Sequence, residues 1–403
     1  MKKHFVIIVI VCFINCIFSK GQSKNLITVD IEKAFNNVKE IMLSDFVESI
    51  EYIVLETEGH PIETQLKVYS NAKQLACIAF RQMYLFDRQT GKFIMEIGKY
   101  GRGPEEYRTS KYFDSDIQCF IAQGFDKDMD IVEYNLNGKM TRRIPVPQKE
   151  IVIRKEGDPW GDQLYIIGSI FLDKHTVVFY NNNVGDVKER LLITDENGKV
   201  FRTFYNSNRF IRQNMKLIHE FPPIFYRHGE NTMFYENCID TIYRVNKNSM
   251  ISHFQLKMGK YKPPYEKRGG ELNDLDSYFK FSCIGENDNF LFFDFSYKRN
   301  RRDLFPTSFF GYYNKKTELV KIADADHNGR RIINNIDNFS AIQLSKWTIN
   351  DRDNEMVSYI EAKDIVEWFK KNPKEAKQLP VHLQKLSKVK ENDNPIVVIA
   401  KLK

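Results

Sequence analysis

Apolar positions in this chain come in short runs divided by turn residues, and the runs recur. Five segments share one layout: an apolar or aromatic strand, a turn rich in Asp, Asn, Gly or Lys, and a second strand. They are Met83–Ile97, Ile131–Ile144, Leu191–Phe204, Thr241–Phe254 and Phe309–Ile322. Gly91, Gly138 and Gly198 occupy the first three turns and supply the positive φ that a tight hairpin needs; Asn248 stands in the fourth. The lysines after those glycines, Lys92, Lys139 and Lys199, are 47 and 60 residues apart. Further strand-like runs lie between the hairpins, among them Gln163–Ile170, Val177–Tyr180, Thr232–Tyr235 and Phe290–Phe295. Each repeat therefore holds four strands, the content of one propeller blade.

The pattern predicts an all-β fold, a six-bladed β-propeller with four-stranded blades. Five hairpins do not close a ring, so the sixth blade is assembled from both chain ends, Ile50–Thr57 and Ile396–Leu402. Pairing the ends covers two strand edges that would otherwise be open to aggregation. One stretch breaks the β pattern. Ala362–Lys371 has Ile365, Val366 and Phe369 on one side of a helix that ends at Pro373, and Val381–Val389 has a second helical spacing. These predict a helical insertion over about residues 361–389 in the last blade, packed on the rim or over one mouth.

Composition agrees with a folded chain: 403 residues, 42% hydrophobic and 28% charged. Its first residues have another character. Lys2 and Lys3 precede an apolar run from Phe5 to Phe18, and Ser19 and Gly21 are small residues suited to cleavage. The run is shorter than the roughly 20 residues of a membrane span. The expectation is a signal peptide over 1–21 and a propeller over 22–403, with no transmembrane span once the signal is removed. A lipoprotein signal at Cys12 or Cys16 is the runner-up, with Val11 and Asn15 where a small residue is wanted. The chain is thus expected in the periplasm or at the cell surface, with or without a lipid anchor. Without Lys2, Lys3 and Lys20 the formal charge of +7 falls to +4, too mild for a nucleic-acid partner. The densest basic spot, Lys298, Arg299, Arg301 and Arg302, is expected to be a solvated loop. Cys77, Cys119, Cys238 and Cys283 show no close-spaced pair and are expected as buried free thiols.

Several stretches resemble a known family, the six-bladed β-propeller proteins of gut-type Gram-negative bacteria long described as domains of unknown function. They are Leu43–Thr57, Phe86–Phe93, Gly98-Lys-Tyr-Gly-Arg-Gly-Pro-Glu-Glu-Tyr107, Asp240–Val245 and Asn394–Leu402. The resemblance implies an exported propeller related to the NHL-repeat type and carries no activity with it. The family usually has Gly at the position of Glu105.

Candidate chemistry is sparse. The glycine-rich loop before Tyr107 lacks the Lys and Ser/Thr of a phosphate loop. An inter-blade loop is the better reading, with Arg102 and Tyr107 as candidate ligand contacts. Phe221–His228 combines prolines, rings and two polar heads. Phe225, Tyr226, Arg227 and His228 there either bind a sugar ring or peptide, or enter a strand with buried rings. Asp324, Asp326 and Asn328 begin like a calcium loop, but position 12 is Asn335 in place of a bidentate Glu. No H-E-x-x-H or G-x-S-x-G is present, so no catalytic residue is assigned and no cofactor is expected. The reading favoured is an exported, monomeric, non-catalytic binding or scaffold propeller for a protein, peptide or glycan. The competing reading is a channel-centred metal-dependent hydrolase or lyase whose ligands come from several blades.

Overall fold

Runs such as Leu75–Ala79 and Val177–Tyr180 are apolar at every position because both of their faces are packed. Leu75 and Cys77 turn to one neighbouring blade, Ala76 and Ile78 to the other. The computed structural model describes residues 26–403 apart from 64–65, 126–129, 149–163, 186, 209, 211–219, 271–274, 299–305, 326–331 and 340–346. The expected signal peptide, Arg299, Arg301, Arg302, Asp326 and Asn328 lie outside the described residues.

The described chain begins with β1 (Ile27–Asp30), α1 (Ile31–Phe35), β2 (Ile41–Met42) and β3 (Val47–Val54). Blade 1 is β4 (Lys67–Ser70), β5 (Gln74–Ala79), β6 (Gln82–Asp87) and β7 (Phe93–Glu96). Blade 2 is β8 (Thr109–Asp114), β9 (Cys119–Gln123), β10 (Ile131–Asn135) and β11 (Met140–Ile144). Blade 3 is β12 (Ile166–Asp173), β13 (Thr176–Asn181), β14 (Glu189–Asp195) and β15 (Val200–Tyr205). Blade 4 is β16 (Ile224–His228), β17 (Asn231–Tyr235), β18 (Thr241–Val245) and β19 (Met250–Lys257), and blade 5 is β20 (Lys280–Glu286), β21 (Phe290–Tyr297), β22 (Thr307–Asn314) and β23 (Val320–Ala325). After β24 (Ile332–Ile333), blade 6 takes β25 (Thr348–Asn350), β26 (Glu355–Ile360) and β27 (Ile396–Leu402), with β3 as its outer strand.

The six-bladed propeller is therefore as expected, and its closure is explicit. β3 pairs antiparallel with β27 from Ile396 opposite Val54 to Leu402 opposite Val47. An apolar cluster fills every junction between neighbouring blades, including that of blade 6 with blade 1. The five hairpins seen in the sequence are the third and fourth strands of blades 1–5. Blade 6 shows no such hairpin because its third strand, β27, and its fourth, β3, come from opposite ends of the sequence.

The turn glycines have a second reason beyond backbone conformation. Gly91, Gly138 and Gly198 have φ of +68°, +73° and +77°. Each also lies against a carbonyl near the end of the preceding blade's outer strand: Val54, Glu96 and Pro145. A Cβ at Gly91 would fall 2.0 Å from the Val54 oxygen. The strong twist of the blades brings each outer turn back onto its neighbour.

Two features differ from the sequence reading. No strand or helix is expected from the sequence pattern before Ile50, yet residues 27–46 form a strap across the rim of blades 4 to 6. β1 adds a fifth, parallel strand to β19, and β2 pairs with β24. Phe35 anchors the strap, its ring 4.8 Å from Phe279, 4.9 Å from Tyr261 and 5.0 Å from Phe309. The helical insertion is present as α2 (Ala362–Lys371), α3 (Pro373–Ala376) and α4 (Val381–Gln384), with a 3-10 turn over Lys385–Lys388. The buried side of α2 is Ala362, Ile365 and Trp368, while Val366 and Phe369 are only half-buried. Trp368 meets Phe339 edge-on at 4.8 Å, in the cluster between blades 5 and 6. Cys77, Cys119, Cys238 and Cys283 are free, and all but Cys283 are fully buried.

Candidate functional site

A four-strand meander puts the turns after the first and third strands on one face of the ring. The turns after the second strand and the loops between blades share the other. We call these the turn face and the loop face.

On the loop face, the connection from β7 to β8 is pinned by buried groups. Tyr107 is fully buried, and its hydroxyl donates to the Arg81 carbonyl at 2.9 Å. Its N–H donates to the Lys99 carbonyl, and the Gly101 N–H donates back to the Tyr107 carbonyl. The Tyr134 hydroxyl donates to the Glu105 carbonyl at 2.8 Å and the Arg143 guanidinium to the Pro104 carbonyl at 2.7 Å. Glu106 accepts from the Gly103 N–H at 2.7 Å. Glu105 needs no glycine conformation, since it is not among the residues with positive φ. The Ser110 hydroxyl secures the neighbouring β5–β6 turn through the Phe80 carbonyl at 3.2 Å.

What these bonds hold up is a row of rings and guanidinium groups. Phe80 is 52% exposed and Tyr100 43%. The Arg81 guanidinium lies 4.8 Å from the Tyr100 ring and 5.7 Å from the Phe80 ring. Tyr100 meets Phe125, in the turn after β9, at 5.9 Å. Arg102 and Arg108 flank Phe125 at 5.5 and 6.0 Å. Each exposed stack of this kind contributes about 0.5–1 kcal/mol. Further toward the axis, Lys111 sits on the inner strand β8. Its surface is exposed, yet the protein atoms crowded around it push its ammonium below the ordinary lysine value; Glu220 opposes this and Arg108 adds to it. Glu220 accepts a 2.6 Å hydrogen bond from Tyr165.

On the turn face, charge pairs cross the ring between blades. Arg227, at the end of β16, reaches Asp114 and Asp116 of blade 2 at 3.2 Å each. Arg352 of blade 6 meets Asp116 at 2.8 Å. His228 faces Asp351 of blade 6 at 3.4 Å. Alternate blades 2, 4 and 6 are thereby tied together. Beside them Glu286, fully buried at the end of β20, takes Lys315 at 2.6 Å and hydrogen bonds with Tyr226 and His253 at 3.1 Å each. Burial would raise the Glu286 carboxyl, but the His253 hydrogen bond and the Lys315, His228 and His253 charges hold it below its ordinary value. Asp114 is raised, by burial first; Arg227 pulls it down and Asp116 pushes it up.

The residues singled out from the sequence are thus split between faces. Arg102 belongs to the exposed row, and Tyr107 supports it from beneath as a buried post. Phe225–His228 lie in strand β16, the innermost of blade 4, and Phe225 packs 5.3 Å from Phe234. Tyr226, Arg227 and His228 serve the turn-face network. Asp324, the described member of the calcium candidate, lies within β23 opposite Phe309. Among the described residues no group of three or more His, Cys, Asp or Glu is placed to hold a metal ion. Sequence reasoning missed Phe80, Arg81, Tyr100, Phe125, Arg108, Asp114, Asp351 and Arg352. No local motif marks them, because each cluster draws on several turns.

A family model described as "Domain of unknown function (DUF4934)" matches residues 26–401. The crystal structure of a "Putative exported protein" from Bacteroides fragilis NCTC 9343 superposes with a TM-score of 0.66 at 16% identity, covering 94% of this chain and 99% of that one. The β-propeller domain of Myceliophteria thermophila Cps50 (Swd1) matches at TM-score 0.35 and 10% identity, over 64% of this chain and 72% of its own. The WD40 domain of fission yeast SCAP matches at TM-score 0.35 and 10% identity, over 79% and 82%. No curated protein matches in sequence. Among the described residues no helix is long and apolar enough to cross a membrane.

Proposed function

This chain belongs to the family described as Domain of unknown function DUF4934, and from that premise we propose that it is an exported, non-catalytic binding propeller that engages its ligand through the loop face of blades 1 and 2. The observation that carries this reading is the row of exposed Phe80, Arg81, Tyr100, Arg102 and Arg108 around half-buried Phe125, on loops fixed by buried hydrogen bonds. Arginine and aromatic side chains dominate the energetics of recognition surfaces. Rigid loops lower the entropy lost on binding. The turn-face carboxylates Asp114, Asp116 and Asp351 are instead engaged by Arg227, Arg352 and His228. Export is supported by the leader-like first 21 residues and by the description of the Bacteroides structure.

Screening the purified chain against peptide and glycan arrays, beside a Tyr100→Ser/Arg102→Ala variant, tests the proposal. The expected result is a ligand class whose signal is lost in the variant. Ligands that bind both proteins equally would overturn the assignment of the surface.

A further inference from the structure

The arginines of this propeller divide into two groups. Among the described residues, nearly every arginine side chain finds a carboxylate, carbonyl or imidazole within the chain. Arg81, Arg102 and Arg108 are the exceptions. Among the described residues their guanidinium groups contact rings alone, and all three stand in the loop-face row. A ring beneath a guanidinium holds it flat and leaves its N–H edge turned to solvent, the geometry that takes a carboxylate with two hydrogen bonds. Exposed Lys99 adds a further charge beside Tyr100, and Lys111 extends the cationic path toward the axis. On the same loop Glu106 accepts from the Gly103 N–H, and Glu105 is exposed.

We propose that the partner of this surface is an acidic segment of another protein, whose Asp and Glu carboxylates pair with Arg81, Arg102 and Arg108. The proposal rests on the binding role assigned above to the same surface and adds the chemistry of what it binds. Charge complementarity selects the acid, and the exposed rings of Phe80 and Tyr100 take the apolar parts of the segment between its charges. The row is carried on projecting turns, so it suits an extended chain laid across it.

Fluorescence anisotropy with a labelled short peptide of alternating Glu and Gly tests this, beside a Gln–Gly peptide and labelled oligogalacturonate as a polyanion of another source. The Glu peptide binds the native chain, binding falls at least about tenfold in Arg102→Glu and Arg108→Glu, and it weakens in about 0.5 M salt. Thermal melts of both variants check that the fold is kept; substitution of exposed residues leaves it so. Glu-peptide binding unchanged by both substitutions overturns the proposal. Oligogalacturonate binding that depends on Arg102, without peptide binding, overturns the acidic-protein assignment and leaves the surface standing. If the probes fail and array ligands also ignore the Tyr100→Ser/Arg102→Ala variant, both readings fall.

Discussion

At the scale of single residues, the strongest constraint is Glu286, a carboxylate with no exposure that stays ionised because His253, Lys315 and His228 surround it. Its folded value lies below the ordinary 4.5. Its contribution to stability is therefore fully present above about pH 4.5 and is lost as pH falls through the lowered value. Asp351, also lowered, has the same sign; Asp114, raised, has the opposite one and opposes it. Glu286→Gln should lower the denaturation midpoint at neutral pH and flatten its decline on acidification, which urea titrations from pH 7 to pH 3 would measure. A steeper acid decline in the variant would contradict this account. Little of this network was legible in the sequence. Tyr226, Arg227 and His228 stood out as a cluster of chemistry, but their partners Asp114, Glu286 and Asp351 are more than fifty residues away in either direction. The uneven spacing of the blades hides that all of them end, or directly follow, an inner strand.

At the scale of elements, the hairpin glycines were the most readable signal, and their geometry explains why. Turn conformation alone admits a side chain: Glu318 in the fifth hairpin has φ of +56°, while Asn248 in the fourth, expected from the sequence to stand in for glycine, does not have positive φ. At Gly91 the approach of the Val54 carbonyl leaves no room for a side chain. Gly59 separates the two effects. It has φ of +78°, and nothing lies within 4 Å of where a methyl group would stand. Gly59→Ala should lose only the backbone contribution of about 1–2 kcal/mol. Gly91→Ala should cost clearly more, because blade 1 must move off the closing strand. Denaturant midpoints of the two variants give the difference, and equal losses would refute the contact. Helix α2 was equally legible in extent, ending at Lys371 as read. Its buried side was misjudged because Trp368, at i+3 from Ile365, packs on Phe339, a partner from a different part of the chain.

At the scale of the whole molecule, six blades could be counted from five hairpins because the missing one coincides with the two chain ends. The strap over residues 27–46 was invisible, since β1 and β2 are short and gain their order only from β19 and β24. The ring should respond unequally to loss of its ends. Removing Ile396–Lys403 takes a central strand from blade 6 and should abolish cooperative unfolding. Removing residues 26–30 takes the added edge strand together with Asp30, the cap of α1 and partner of Lys257, and should lower the melting temperature while leaving a single transition. Calorimetry on both truncations checks this, and a sharp melt of the first would argue against closure as described. The pairing of β3 with β27 also sets an order of events in time. Residues 47–54 are made before blades 1 to 5, and their partner strand only after all five. Until then β3 has no partner in the ring, and closure must span most of the chain length, a contact of the kind that slows folding. The ring therefore stays open at blade 6 until β27 has been made, and β3 meanwhile offers a bare edge to any other strand that can reach it.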